Sequence, residues 1–362
     1  MAEATDRAAG GASDAERGAL RRAVKLAVRG QGRVEPNPMV GAVLLRDGRA
    51  VAEGWHGRFG GPHAEVACLA DARSKGVDPA GLVMAVTLEP CCHTGKTGPC
   101  TGALREAKVG RVVVGALDPS PHAAGRGVAE LRAAGVDVVV LEDEAARELI
   151  APFAKRVTTG LPWVIAKWAQ TLDGKTATAG GDSKWISGEA SRRLVHRLRA
   201  RVDAVMVGVG TVVADDPKLT ARGVPVRRVA RRVVVDPGGQ TPEQCDVRRA
   251  PAAWIVTRAE APTLADGSLD LSPVLRRLAA EGATNVLAEG GATLTGHLLK
   301  QGLVDELLVF VAPKVVGDDA ARGAVRGLGV ALMKDALQWT LRGVKRVGED
   351  VMLTYRRVEP RG

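Results

Sequence analysis

Aromatic side chains are scarce in this chain: six tryptophans, three phenylalanines and one tyrosine among 362 residues. With so few rings, and no arginine or lysine run interleaved among them, an aromatic platform for single-stranded nucleic acid is excluded. The net charge of +10 arises from 51 basic residues interspersed with 41 acidic ones. That is the pattern of a solvated surface, with a role in drawing in a phosphorylated substrate left open. Cysteine is also sparse: five residues, an odd number, three of them within 91–100. This argues against a secreted disulfide framework and for a reducing cytoplasm. No apolar run approaches the roughly 20 residues of a membrane span, and the first residues lack the apolar core of a signal peptide. The expected partners are therefore small molecules and not nucleic acid or membrane, with a homo-oligomer left open.

What is present suits two globular cores, because 46% of the residues are hydrophobic and the length exceeds one ordinary domain. Residues 1–16 are small and polar and are expected to form a disordered tail, although Ser13-Asp14-Ala15-Glu16 also reads as a capping box. It opens a helix with apolar positions at Leu20, Val24, Ala27 and Val28, stopped by Gly30. Strand-like runs at 40–45, 82–88, 111–115 and 136–140 alternate with helical stretches near 64–72, 101–108 and 127–134, an α/β sandwich pattern. Thr158-Thr159-Gly160-Leu161-Pro162 marks a linker over 156–162, which divides the chain into domains at 17–157 and 158–362. The second domain is again α/β, with strands expected at 163–169, 204–209, 232–236, 253–257, 285–288 and 306–311 and a hairpin at Gly348-Glu349-Asp350.

The chemistry concentrates in His63-Ala64-Glu65, followed by Pro90-Cys91 and Pro99-Cys100. One imidazole and two thiolates offer zinc three ligands and leave the fourth tetrahedral position for water, as in a catalytic site. A glutamate two residues after the histidine, with proline-cysteine downstream, matches the signature of zinc nucleobase deaminases, where it moves protons without binding metal. Duller readings are a core histidine with two buried thiols, or a closed structural site completed by Cys92 or His93; neither has a place for Glu65 and the two prolines. Cys91 and Cys100 stand nine positions apart, so a loop at 93–99 must return the second to the first. Cys92, its side chain alternating with that of Cys91 along an extended stretch, points the other way.

Four strings, Pro36-Asn37-Pro38-Met39-Val40-Gly41, Gly61-Pro62-His63-Ala64-Glu65, Thr87-Leu88-Glu89-Pro90-Cys91 and Lys96-Thr97-Gly98-Pro99-Cys100, resemble the deaminase half of the bacterial bifunctional riboflavin-biosynthesis deaminase/reductases. Gln170-Thr171-Leu172-Asp173-Gly174-Lys175, Gly181-Asp182-Ser183-Lys184-Trp185-Ile186, Val207-Gly208-Val209-Gly210-Thr211, Ala214-Asp215-Asp216-Pro217 and Ala288-Glu289-Gly290-Gly291 resemble their reductase half. The resemblance runs from about residue 18 to 357. It implies a cytidine-deaminase-like three-layer sandwich followed by a dihydrofolate-reductase-like domain. The first would remove ammonia from 2,5-diamino-6-(5-phosphoribosylamino)pyrimidin-4-one with one zinc ion, and the second would reduce the ribosyl group of the product to ribityl with NADPH.

By the same resemblance His63, Cys91 and Cys100 are metal ligands and Glu65 is catalytic. Ser183, Arg199, Leu219, Arg222 and Glu289 match substrate-binding positions. Ala169, Trp185, Thr211, Asp215 and the run Gly291, Ala292, Thr293, Leu294, Thr295, Gly296 and His297 match cofactor-binding positions. Two guanidiniums can clamp a phosphate, and a strand-Gly-Gly-helix turn offers backbone N–H groups to a pyrophosphate. Lys167 reads either as a proton-handling strand lysine or as a snorkelling surface lysine. Cys92 stands where the family usually has serine, as does Pro237 near the expected cofactor. The rival readings are a single-activity deaminase carrying an unrelated C-terminal module and a non-catalytic zinc protein that binds nucleic acid through its basic surface.

Overall fold

The structure is a computed structural model that describes residues 11–93, 98–121, 123–249 and 251–358. The chain forms two compact units that divide between Gly160 and Leu161.

In the first unit α1 (Asp14–Ala27) leads into the hairpin β1 (Gly41–Arg46) and β2 (Arg49–Trp55). There follow α2 (Ala64–Ser74), β3 (Val83–Val86), α3 (Cys100–Glu106), β4 (Arg111–Val114), α4 (Arg126–Ala133), β5 (Asp137–Val140) and α5 (Glu144–Thr159). The sheet order is β2-β1-β3-β4-β5, antiparallel as far as β3 and parallel from there to β5. Alternation along β1 makes three layers: Ala42 and Leu44 join the core with α2, α3 and α4, whereas Val43 and Leu45 join the core with α1. Gly54 lets α2 lie directly on β2, since a Cβ there would come within 2.4 Å of both the Cys68 nitrogen and the Ala64 oxygen. That close approach fixes the helix whose first turn carries Glu65.

Two expectations change here. The capping box forms in full, Glu16 is buried against Arg111 at 2.9 Å, and Ser13–Glu16 therefore belong to a helix rather than a tail. The rest of the expected tail, residues 1–10, lies outside the described residues. The supposed linker is helical up to Thr159, where Gly160 adopts a left-handed conformation and caps α5. Strand β2 had no strong signal, because its Ala, Glu and Gly residues dilute the alternation.

The second unit opens with β6 (Trp163–Gln170), β7 (Lys175–Ala177), α6 (Glu189–Arg199), β8 (Ala204–Gly208), α7 (Val209–Asp215), β9 (Arg231–Val235) and β10 (Trp254–Val256). It continues through α8 (Ser272–Ala280), β11 (Asn285–Ala288), α9 (Ala292–Lys300), β12 (Glu306–Val311), β13 (Arg322–Gly323), β14 (Trp339–Val347) and β15 (Asp350–Arg357). Eight strands form one sheet in the order β10-β9-β8-β11-β6-β12-β15-β14, while β7 and β13 pair separately. All neighbours from β10 to β12 are parallel, and the hairpin β14/β15 completes the sheet antiparallel. Val164 and Ala166 of β6 pack with α8 and α9, while Val195 of α6 packs with Leu308 and Phe310 on another face of the sheet. With five or more parallel strands, the carboxyl ends share one edge, the place where open α/β sheets bind ligands.

Candidate functional site

His63 is the N-cap of α2 and Glu65 lies in its first turn, whereas Cys100 opens α3 behind Pro99. Two helix starts thus present donor groups toward the end of β3, where Pro90-Cys91 follows. The His63 Nδ1 is 3.5 Å from Cys91 Sγ and 3.4 Å from Cys100 Sγ, and the backbone N–H of Cys100 donates to Cys91 Sγ at 3.4 Å. All three donor atoms lie within 4.8 Å of one another, and among the described residues no fourth histidine, cysteine or carboxylate joins them. A tetrahedral zinc with Zn–S near 2.3 Å and Zn–N near 2.0 Å separates its S and N ligands by about 3.5 Å, so the spacing fits that ion. Cys92 is half-buried and outside the group. Residues 94–97 of the expected return loop lie outside the described residues.

The electrostatics agree with a cation site. The Cys91 thiol is pulled down to about 4 by the Cys100 thiol and by His63, and His63 in turn is raised by the Cys91 sulfur. Glu65 is 3% exposed, and burial pushes its carboxyl up to about 7. A buried carboxyl that can hold or release a proton near neutrality is what general acid-base work needs.

His63, Glu65 and Cys91 line a cavity of about 340 Å³ together with Asn37, His56, Glu89, His93, Asp118, Ser120 and Phe153. His56 Nδ1 pairs with the Pro62 carbonyl at 2.9 Å, and its Nε2 lies 3.3 Å from the Asn37 amide nitrogen. Burial lowers the His56 pKa, which favours the neutral ring donating to Pro62 and accepting from Asn37. The sequence reading missed His56 and Asp118. Asn37 was visible between two prolines, but nothing in its spacing assigns it to a site.

In the second unit the charged centre is Glu289, immediately after β11. Arg199, at the end of α6, grips it with a fork: Nε to Oε1 at 2.5 Å and Nη2 to Oε2 at 3.0 Å. Lys167 on β6 lies 3.9 Å from the same carboxylate, with its side chain only 16% exposed. It is therefore a buried lysine and not a snorkelling one. Burial lowers its pKa, and Arg199 adds to that while Glu289 opposes it. Burial works against ionised Glu289 too, but Arg199 and Lys167 outweigh it and hold the carboxyl below its usual range. Of the two arginines expected at the substrate phosphate, Arg199 grips the Glu289 carboxylate with its fork and reaches the Thr220 carbonyl with its remaining nitrogen at 3.4 Å, while Arg222 is exposed.

The other expected positions fall around the strand ends. Thr211 in α7 lies beside the start of α9, its hydroxyl 3.6 Å from where a Gly291 Cβ would stand. Lys184 reaches Asp215 at 3.4 Å, next to Ser183 and the exposed Trp185, over whose ring Arg192 stacks at 4.5 Å. Ala169 is half-buried on β6. Leu219 is buried in the core with φ +55°, so its backbone, not its side chain, is what a ligand could meet. Gly291, Ala292 and Thr293 lie at the helix start, the Leu294 and Thr295 side chains and Gly296 are buried, and the Thr295 amide bonds back to the Gly291 carbonyl. His297 lies a turn and a half along α9.

Comparison with known proteins gives two family models. The RibD C-terminal domain matches residues 162–353, and the cytidine and deoxycytidylate deaminase zinc-binding region matches residues 13–116. The chain is 40% identical over 360 residues to the riboflavin biosynthesis protein RibD of Escherichia coli (strain K12), covering 92% of this chain and 97% of that one. With the RibD of Aquifex aeolicus (strain VF5) the figures are 38% over 353 residues, 93% and 97%. A diaminohydroxyphosphoribosylaminopyrimidine deaminase/5-amino-6-(5-phosphoribosylamino)uracil reductase from Thermotoga maritima superposes with a TM-score of 0.84 at 35% identity, over 95% of this chain and 99% of that one. The C-terminal half is thus no unrelated module, which removes the single-activity reading.

Proposed function

Because the chain belongs to the RibD family of bifunctional riboflavin-biosynthesis enzymes, joining a zinc-binding deaminase region to a reductase domain, we propose the substrates, cofactors and residue roles that its two sites carry out. The substrate of deamination is 2,5-diamino-6-(5-phosphoribosylamino)pyrimidin-4-one, and the uracil product is then reduced at its ribosyl group to ribityl. Deamination is assigned to the first unit, up to Gly160, and reduction to the second, from Leu161, in place of the 157/158 boundary expected from the linker.

His63, Cys91 and Cys100 hold one zinc ion, the reading that their 3.4–3.5 Å donor spacing supports. When bound, zinc supplies Lewis-acid activation of water at neutral pH. Glu65, buried beside the ligands, accepts the proton released from that water and returns it to the departing exocyclic amine, so ammonia leaves as a neutral molecule. The cavity walls exclude bulk water and orient the pyrimidine.

In the second unit NADPH supplies the hydride. The N–H groups at the start of α9 and the neighbouring Thr211 receive the cofactor's phosphates, with Ala169, Trp185 and Asp215 around it. Ser183, the Leu219 backbone, Arg222 and the Glu289/Arg199 pair receive the substrate, Arg222 being the exposed cation for its phosphate. Lys167, held partly buried beside Glu289, handles the proton that accompanies reduction of the opened sugar.

The observation that carries this reading is the open three-donor group beside a buried glutamate. Zinc-loaded enzyme incubated with the diaminopyrimidine phosphate, followed by mass spectrometry, tests it: a gain of about 1 Da marks exchange of amine for oxo, and a further gain of about 2 Da that needs NADPH marks reduction. An unchanged substrate mass would refute it.

A further inference from the structure

Glu89 sits two residues before Cys91 and is 4% exposed, yet its carboxylate bonds to backbone rather than to a metal-site group. Its Oε2 accepts from the N–H groups of Asp118 at 3.1 Å and Gly125 at 2.9 Å, and its Oε1 accepts from Val128 N–H at 3.0 Å. One side chain thereby gathers both ends of the 118–125 loop and the first turn of α4. That loop supplies Asp118, Ser120 and Ala123 to the wall of the cavity that holds Glu65 and Cys91. The contact is close as well as polar: a Cβ on Gly127 would come within 2.0 Å of the Pro90 carbonyl, so α4 is seated directly on the segment bearing the cysteine. The buried Glu89 carboxylate and the close seat of Gly127 on Pro90 thus tie the segment bearing Cys91 to this wall.

Resting on the deaminase reading above, we infer that Glu89 is a positioning residue for deamination, holding the 118–125 wall at the separation from the metal ligands that seats the substrate. The three donors define its chemistry. A carboxylate has acceptors at both ends, whereas glutamine of the same shape must turn an NH₂ toward either Val128 N–H or the Asp118 and Gly125 pair, donor against donor. The wall then shifts while His63 and Glu65, placed by α2, and Cys100, placed by α3, stay where they are, with Cys91 Sγ held by the Cys100 N–H. A displacement of this kind weakens substrate seating, which is read as a rise in KM, more than it alters the reacting groups.

The test uses full-length, zinc-loaded Glu89→Gln with the diaminopyrimidine phosphate as substrate. The expected result is a KM raised by about tenfold or more, kcat within a few-fold of the parent, full zinc occupancy and unchanged reduction of the uracil by NADPH. Glu89→Asp, which keeps the charge but is one methylene shorter, gives a smaller KM rise in the same direction and serves if the glutamine variant does not fold. A KM equal to that of the parent in the folded variant overturns the inference, whether zinc, kcat or thermal stability falls or not, because Glu89 is then only a structural support. If the unsubstituted chain itself shows no zinc-dependent deamination, the underlying reading fails and the inference falls with it.

Discussion

The two units place buried charge in opposite ways. In the first, two helix starts and a strand end bring three metal-ligand atoms together beside the buried Glu65. In the second, Arg199 and Lys167 surround Glu289, and the protein balances its own charge. A site of the first kind offers its donors to an ion from outside, which would supply a Lewis acid. In a site of the second kind the carboxylate already has its partners, with which a ligand would have to compete. On the function proposed above, the first step would draw on a metal and the second on a site whose charge the protein already balances.

Substitutions can break this contrast. Glu65→Gln should lower deamination by about 10²–10⁴-fold or more while zinc content stays full, since only proton transfer is removed; assaying metal and turnover on one preparation checks it, and loss of zinc would make Glu65 a ligand instead. Arg199→Ala should act mainly on stability, by about 3–5 kcal/mol, because it leaves Glu289 buried with only Lys167 nearby. Denaturant unfolding of the second unit's transition measures that, and a change within 1 kcal/mol would mean the pair is readily replaced by solvent.

Arg222→Ala sharpens the contrast from the other side. Its guanidinium is exposed, so stability should hardly change, while reductase kcat/KM falls by roughly 10- to 150-fold, the worth of one charge-assisted contact to phosphate at about 1.5–3 kcal/mol. Deamination should be untouched. Unaltered reduction with the phosphorylated substrate would show that the phosphate binds elsewhere. The smallest effect separates the adjacent cysteines: Cys92→Ser should keep full zinc, whereas Cys91→Ser loses it, and equal zinc in the two variants would undo the ligand assignment.

The first site was legible because its parts are short motifs with a fixed chemistry: His63-Ala64-Glu65 and two proline-cysteine pairs suffice to name an ion and a proton carrier. The strands β1, β3, β4 and β5 were equally readable, since each is a short run of mainly apolar residues, with three consecutive valines in β4 and in β5. Strand β2 and the helical course of 156–159 were not, because neither composition nor period departs enough from loop. The walls of the deaminase cavity escaped for another reason. His56, Glu89 and Asp118 act through backbone contacts and packing between distant segments, which leave no local pattern. In the second unit the family motifs located Arg199 and Glu289 separately, but a salt bridge between residues 90 positions apart is visible only once α6 and β11 are folded.

Removal of metal tests the contrast most directly. The chain is stripped with a chelator and supplied in turn with the diaminopyrimidine phosphate alone, and with the deaminated uracil plus NADPH, before and after one equivalent of zinc. The account predicts that deamination disappears and returns with zinc, while reduction of the uracil proceeds at the same rate throughout. Loss of both reactions on chelation, or survival of deamination in the stripped chain, would contradict it.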